Sequence, residues 1–450
     1  MWIGWEVLTE GQYKTGMRRL SGDEKEVIEK VCTEFSDTAK DEVIDNEKAA
    51  KAHIARLLKT HLARNSIDAD ADQREYLAQA IYYVTYAYGP ITPLLEDDGL
   101  EEIAVTGLGT PIYVFHKEKG WLTTDVKFTS RESVVEIVNK MARKIGRRIT
   151  LQMPRLNAVL PDGSRMHATI EPVSELELTI RKFRKSPITI RELIQNGYSY
   201  ELLAFLWMVF QNDRNVIVCG NTAAGKTTTL NALFSFVPPN ERIVLLEETP
   251  EIAVPHMHTV KLKTSRELHI TMKDLIEDSL RMRPDRVIVG EVRAKDEILA
   301  MVESMSAGQA RGCYATMHAQ SAKELVSRMR YNEAMPSDIG TVDLVIVQRR
   351  MLRFRGSSKI KEVRKVMEVC ELFENRGSII IRHLYKYDPK KESSIAMPVR
   401  SKNIEDIAFA NGMDYEDLDL EIKRRAKYLR NALSKSSDIA KVIGDYGAVG

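Results

Sequence analysis

Apolar and polar positions change texture three times along the chain. Between residues 22 and about 88 the apolar residues recur at helical spacing in a charged background. Ile54, Leu57, Leu58 and Leu62 make one stripe flanked by Lys and Arg, the pattern of an amphipathic helix. Such a stripe packs against its own domain or offers a docking surface to a partner. The pattern breaks at "YGPITPLLEDDG", which two prolines and two glycines punctuate. From about 89 to 185 "EEIAVTG" and "PIYVFHKEKGWLTTDVKF" predict short strands with turns. "RESVVEIVNKMARKIG" predicts a helix, and "RMHATIEP" and "LELTIRKF" predict more strands. The expectation is a compact α+β unit. "RKSPITIRELIQNG" then predicts a linker, placed at 186–199, that runs into a helix.

From 200 to about 350 strand and helix alternate, which predicts a parallel sheet. "NVIVC" leads into a glycine loop and a helix, "RIVLLE" into a loop, and "DRVIVG" into a helix; "GCYATMHA" and "TVDLVIVQRR" supply further strands. Residues 351–450 are mixed: "VMEVCELFE" and "SIIIRHLYKY" predict a hairpin, followed by two amphipathic helices ending in "EIKRRAKYLRNAL". The expected division is a helical extension over 1–88, an α+β domain over 89–185, the linker, an α/β core over 200–350 and a C-terminal segment over 351–450. No long internal repeat or low-complexity segment stands out.

Composition narrows the classes. A chain of 450 residues with 44% hydrophobic and 29% charged content has room for two or three domains with their own cores. The 66 basic and 64 acidic residues leave a net charge of +2, which argues against a broadly basic nucleic-acid coat. Cys32, Cys219, Cys313 and Cys370 stand far apart without a CxxC pair, so neither a disulfide framework nor a cysteine zinc site is expected, and a reducing cytoplasm fits. The opening "MWIGWEVLTEG" has no basic region followed by an apolar one, so no signal peptide is expected. The longest apolar run, "LLAFLWMVF" from Leu202 to Phe210, falls short of the roughly 20 residues a bilayer requires. It reads as a buried helix, and any membrane work would be done at the surface.

The chemistry concentrates in residues 220–227, G-N-T-A-A-G-K-T, a complete match to the phosphate-binding loop G-x-x-x-x-G-K-[ST]. An apolar strand precedes it and the helix "TTTLNALFSF" follows. Gly220 and Gly225 let the backbone of Asn221, Thr222, Ala223 and Ala224 turn N–H groups onto phosphate oxygens, and the helix start at Lys226, Thr227 and Thr228 adds positive potential. Lys226 would reach the β- and γ-phosphates of ATP and Thr227 would ligate Mg2+. Two acidic strand ends compete for the remaining work: Glu247-Glu248 after "RIVLLE", and Glu291 after "RVIVG". Hydrolysis asks one carboxylate to order the Mg2+ shell and another to position or deprotonate water. His318 in "ATMHAQSA" could hydrogen-bond a γ-phosphate or serve as a structural bridge. "HMH" at 256–258 hints at a metal but has no third ligand in the sequence.

Together these pieces resemble the secretion ATPase superfamily: the motors of type II secretion, type IV pili, conjugative type IV secretion and the archaellum. The family's acidic strand ends in Gly-Glu rather than Asp, as in "RPDRVIVGEVR", which implies the magnesium-shell role for Glu291. Its acidic box looks like "LLEETPEI", with Glu247-Glu248 where a Glu-Asp pair is usual, and its histidine box looks like "ATMHAQSA". Gly308-Gln309 replaces the usual Gly-His. In the preceding domain "YGPITPLLEDDGLEEIAVTG", "LPDGSRMHATIEP" and "LTIRKF" look like the family's N-terminal domain. There the resemblance implies arginine fingers at Arg165 and Arg181, with Arg155 a weaker candidate. The likeness runs from about 85 to 430. "RMRPDRVIVGEVR" and the final "NIEDIAFANGMDYEDLDLEIKRRAKYL" look most like archaeal members, and the cysteine-rich zinc insertion of many bacterial type II motors is missing. The resemblance implies a RecA-like P-loop fold. It also implies a homo-hexameric ring, peripheral on the cytoplasmic face of the membrane, docked to a polytopic platform protein.

Rival classes are a RecA-like nucleic-acid or conjugative translocase, a small-molecule kinase or GTPase, and a non-hydrolysing ring protein. Balanced charge and 7% aromatics weigh against a nucleic-acid groove, so no nucleic acid is expected as a partner. The chain has no Asn-Lys-x-Asp guanine motif. Intact Lys226, Thr227 and Glu291 argue for hydrolysis.

Overall fold

A computed structural model describes residues 4–38, 44, 46–182, 189–265, 268–308, 310–355, 359–435 and 442–446. Gln309 and residues 183–188, before and within the expected linker, lie outside them. The chain divides into two compact units, Met1–Lys185 and Ser186–Gly450.

In the first unit, helices Gly22–Thr38, Glu47–Arg64 and Ala71–Thr85 share one core. Ile54, Leu58 and Leu62 of the predicted stripe are buried in it with Val27, Ile28, Val31, Leu77 and Ile81, and Leu57 packs at its edge. The stripe therefore faces its own bundle, as its spacing allows, and is not left as a docking surface. Asn46 and Asp70 cap the second and third helices by accepting from the N–H groups of Ala49 and Gln73, which fixes where each begins.

The rest of the unit is an antiparallel sheet under one helix. Its strands are β1 Trp5–Val7, β2 Leu100–Val105, β3 Pro111–His116, β4 Gly120–Phe128, β5 Arg155–Val159, β6 Arg165–Ile170 and β7 Leu176–Arg181, ordered β1-β4-β3-β2-β7-β6-β5. Helix Arg131–Arg143 buries Val134, Ile137, Val138, Met141 and Ala142, the i, i+3, i+4, i+7 stripe that lays a helix on a sheet. The three-residue β1 comes from the segment expected to be helical and pairs with the far end of β4. Such a short run has no readable alternation, and the N-terminal segment is thus part of the sheet as well as of the bundle.

The second unit carries nine described strands: β8 Val216–Gly220, β9 Ile243–Glu247, β10 Thr259–Lys263, β11 Arg286–Val292, β12 Gly312–Met317, β13 Leu344–Arg355, β14 Lys359–Asn375, β15 Ser378–Asp388 and β16 Ser393–Ala396. They form one sheet in the order β10-β9-β11-β12-β8-β13-β14-β15-β16. β10 through β13 pair in parallel, while β13 to β16 are antiparallel. The predicted parallel sheet is therefore extended by an antiparallel wing, and the hairpin placed in a separate C-terminal segment belongs to the same sheet.

Both faces of this sheet are covered, which is why its inner strands carry continuous apolar runs, such as Ile243–Leu246 and Val287–Val289, rather than alternating. Val216, Val218, Ile243 and Leu245 face one core with Leu202–Phe210 and Leu429. Ile217, Cys219, Val244 and Leu246 face the other with Met301, Leu325 and Met329. The run Leu202–Phe210 lies in helix Tyr200–Gln211 and is buried throughout; each large apolar side chain hidden this way contributes about 1.5–3 kcal/mol before entropy. No described helix is long and apolar enough to cross a membrane.

Candidate nucleotide site

The phosphate-binding loop rises from the buried end of β8 and closes on helix Lys226–Leu233. Its shape depends on two positive-φ residues, Ala223 at 59° and Gly225 at 89°, which turn successive N–H groups inward as an anion-binding concavity does. Gly220 serves close approach instead: a Cβ there would sit 2.3 Å from the Gln348 carbonyl oxygen of neighbouring β13. The loop is also tied to that strand. Asn221 donates from Nδ2 to the Arg350 carbonyl (2.9 Å) and accepts at Oδ1 from the Arg350 N–H (2.8 Å). From β14, Arg364 Nε donates to the Ala223 carbonyl (2.9 Å).

The first-turn N–H groups of a helix have no intrahelical acceptor, and here they belong to Lys226, Thr227 and Thr228, the last two half-buried. On the loop's floor the buried Gln348 amide has neither nitrogen nor oxygen hydrogen-bonded, and the Thr229 hydroxyl is likewise unpartnered. Thr229 and Gln348 lie close enough to the buried Tyr198 hydroxyl to offset part of the upward push that burial gives it, without a well-formed hydrogen bond. A polar floor, a left-handed turn and a buried lysine fit a polyphosphate with its divalent cation. Lys226 and the loop N–H groups would hold the phosphates, and Thr227 the Mg2+.

Beside the loop, one line of polar side chains crosses the strand ends. Lys226 Nζ lies 3.4 Å from His318 Nδ1, and His318 Nε2 lies 2.6 Å from Glu291 Oε1. The other Glu291 oxygen accepts from Arg293, which also pairs with Glu248 at 3.0 Å. Burial lowers the His318 pKa, and Lys226 lowers it further against the pull of Glu291. A neutral ring that accepts at Nδ1 from an ammonium must carry its proton on Nε2, so His318 donates to Glu291. Burial alone would raise the Glu291 carboxyl, but Arg293, His318 and Lys226 outweigh it and hold it below the ordinary carboxylate range. Lys226 is buried too, and desolvation lowers its pKa despite Glu291.

The two glutamates ending β9 go separate ways. Glu248 is exposed and reaches Arg293. Glu247 turns inward, 4% exposed, and its Oε1 accepts from the N–H groups of Glu251 (2.7 Å) and Ile252 (2.9 Å). Burial raises its carboxyl to about 7, against those two bonds. The structure thus brings Glu291, Glu248, His318 and Lys226 into one line and leaves Glu247 beneath it. A cavity of about 380 Å³ opens alongside, lined by Thr222, Arg293, His318, Arg328 and Asn332 among others.

Arg293, Gln348, Arg350 and Arg364 were not foreseen from sequence. Arg293 had only a weak signal, a cation two positions beyond Glu291 and just past the end of β11. His256 of "HMH" is buried and bonded through Nε2 to the Pro238 carbonyl (3.1 Å), while Met257 is fully exposed. In the first unit Arg165 and Arg181 are direct cross-strand partners on β6 and β7, with Glu102 of β2 opposite Arg181. Arg155 starts β5 and is exposed.

A phosphate-binding loop at the carboxyl edge of a largely parallel sheet, with acidic residues ending two neighbouring strands, defines a RecA-like P-loop NTPase fold preceded by an α+β unit. Residues 86–426 match the family described as Type II/IV secretion system protein, and the chain belongs to that family. It is 39% identical over 246 residues to the uncharacterized protein MJ0781 of Methanocaldococcus jannaschii, covering 52% of this chain and 34% of that one. A second protein of that organism, the uncharacterized protein MJ0900, is 26% identical over 384 residues, covering 83% and 69%. The type IV secretion system protein VirB11 of Bartonella quintana is 27% identical over 282 residues, covering 53% and 78%. The chain thus spans about a third of the length of the first of these relatives, and two of the three are archaeal, in keeping with the archaeal likeness of the sequence.

Proposed function

We propose that the protein is an ATP-hydrolysing motor that powers secretion or the assembly of a pilus-like or archaellum-like filament. The reading is carried by one observation, the continuous line Lys226–His318–Glu291–Arg293–Glu248 at the mouth of the phosphate-binding loop. In it the loop and Lys226 bind the phosphates, and Thr227 and the Glu291 carboxylate hold the Mg2+ shell. Bound Mg2+ would neutralise charge developing on the β- and γ-phosphate oxygens. Glu248 stands on the solvent side to orient the attacking water. His318 relays between Lys226 and Glu291, and Glu247 shapes the loop from Glu248 to Ile252 that presents its neighbour.

The proposal extends to assembly. Arg165 and Arg181 act as fingers on nucleotide, so that hydrolysis is gated by closure of domains or subunits in a homo-hexamer. The ring works on the cytoplasmic face of the membrane against a polytopic platform protein. Residues 89–185 bear the fingers and 200–350 the phosphate-binding loop with its acidic strand ends, while β1 completes the first sheet and β14–β16 the wing of the second. A bacterial relative that bears the name of a type IV secretion system protein supports the class of machine.

The test is a pair of variants. Glu291→Gln is expected to bind ATP with near-normal affinity while turnover falls by about 10²-fold or more. Lys226→Ala is expected to lose nucleotide affinity itself. Phosphate-release and fluorescent-nucleotide assays on the full chain separate the two, and wild-type turnover in Lys226→Ala would remove the motor reading.

A further inference from the structure

Among the described residues one group of side chains outside the nucleotide site has the donors of a metal centre: Glu368, Cys370 and His383, whose ligand atoms all lie within 4.8 Å of one another. We propose that this triad is a binding site for a borderline-soft divalent cation of the Zn2+ class. Thiolate, imidazole and carboxylate together are the donor set such an ion selects, three protein ligands leaving a fourth position for water.

Strand register builds the triad. Glu368 and Cys370 are two residues apart on β14, and a register shift between Val369 and Cys370 puts His383 of β15 directly opposite Cys370. Without the shift Cys370 would face Leu384, since Val369 pairs with Tyr385. An irregularity of this kind re-aims a side chain, and here it re-aims the imidazole. His383 Nδ1 lies 3.2 Å from Cys370 Sγ and 3.2 Å from Glu368 Oε2. Around a tetrahedral ion with bonds of about 2.0–2.3 Å, donors stand roughly 3.3–3.6 Å apart, so small movements suffice to close the site.

The surroundings support it. Glu368 Oε1 accepts from the Ala322 N–H at 2.8 Å, which fixes the carboxylate and leaves Oε2 for the cation, as outer partners orient metal ligands. Cys370 is fully buried and His383 is one-third exposed, giving a closed floor and an open side. Lys386, in register with Glu368, is exposed, and its ammonium can remain in solvent. A bound ion would join β14 and β15, through Glu368, to the start of helix Ala322–Tyr331, which follows His318 by four residues. Cysteine spacing could not disclose the site, because it arises from strand pairing and includes a single cysteine.

The experiment uses the full chain, stripped of metal and free of nucleotide, titrated with Co2+ as a spectroscopic stand-in and then competed with Zn2+. The expected result is one saturating equivalent with a thiolate-to-cobalt charge-transfer band that Zn2+ removes. Cys370→Ser should abolish the band and Cys313→Ser should leave it. His383→Ala should weaken binding by more than about 100-fold, beyond the 10–100-fold typical of losing an outer partner. Glu368→Gln keeps an acceptor for the Ala322 N–H and so preserves the helix start; it should weaken binding with an unchanged far-ultraviolet spectrum. No saturable band, a band that survives Cys370→Ser, or affinity untouched by both His383→Ala and Glu368→Gln would overturn the site.

Discussion

Glu247 is the carboxylate whose behaviour separates a catalytic role from an architectural one. It ends β9 with its side chain 4% exposed and anchors the next loop through the N–H groups of Glu251 and Ile252. Burial moves its carboxyl from 4.5 to about 7, the two N–H bonds opposing the move without cancelling it. That displacement corresponds to about 3 kcal/mol of differential stability between the protonation states. Below about pH 4.5 the folded and unfolded chains are both protonated here, and the full contribution is present. Between 4.5 and 7 the folded state keeps a proton that the unfolded state has released, so rising pH disfavours folding. Above about 7 the loss is complete. Glu247→Gln is a neutral isostere that keeps an acceptor for both N–H groups, and it escapes the loss.

The variant should therefore match wild type near pH 4 and exceed it at pH 8 by an amount approaching about 3 kcal/mol. Urea denaturation of the two full-length proteins at several pH values, followed by tryptophan emission, measures the difference; Trp207 lies in the core of the same unit. A gain that is constant with pH, or larger at pH 5 than at pH 8, would refute the buried, raised carboxyl. Turnover of the same variant at pH 8 completes the test. Retained hydrolysis leaves Glu247 with the loop, whereas a loss of about 10²-fold would make it the base.

Two further outcomes follow from local geometry. Gly220→Ala would thrust a methyl to 2.3 Å from the Gln348 carbonyl, so β8 and β13 must part or the loop must shift. An overpacking cost of about 1–3 kcal/mol and loss of nucleotide binding are expected in denaturation and binding assays, and normal affinity would contradict the packing. Arg165→Ala and Arg181→Ala should each lower steady-state hydrolysis by about 10²-fold or more while nucleotide affinity stays within about threefold of wild type. Unchanged turnover in both would remove the fingers from the proposal.

Why some of this site could be read in the sequence and some could not is a matter of reach. The phosphate-binding loop is local: Gly225 at positive φ, Lys226 on the first turn and the strand before them are neighbours in the chain, so eight residues specify them. The helix stripe at Ile54, Leu58 and Leu62 was equally local, but its spacing could not say what would cover it; the other two helices of the bundle do. Gln348, Arg350 and Arg364 lie more than a hundred residues beyond the loop they floor and brace. They arrive there only because β13 pairs in parallel with β8, an adjacency that strand order along the chain does not disclose. Glu247 and Glu248 show a subtler limit. A strand buried on one face announces its phase by alternation, and the buried member of an acidic pair could then be picked out. β9 is buried at all five positions because helices cover both faces, so its apolar run carries no phase. Which glutamate turns under the loop and which turns toward Arg293 is decided by where the strand stops relative to β11. Arg293 escaped notice for a different reason, although Glu291 beside it is legible as a site residue. It lies just past the end of β11, and a motif read as a string of identities gives no weight to a cation beyond its key carboxylate. The geometry gives that residue both acidic partners, Glu291 and Glu248, so in this arrangement Arg293 occupies one oxygen of each carboxylate and competes there with any cation or water.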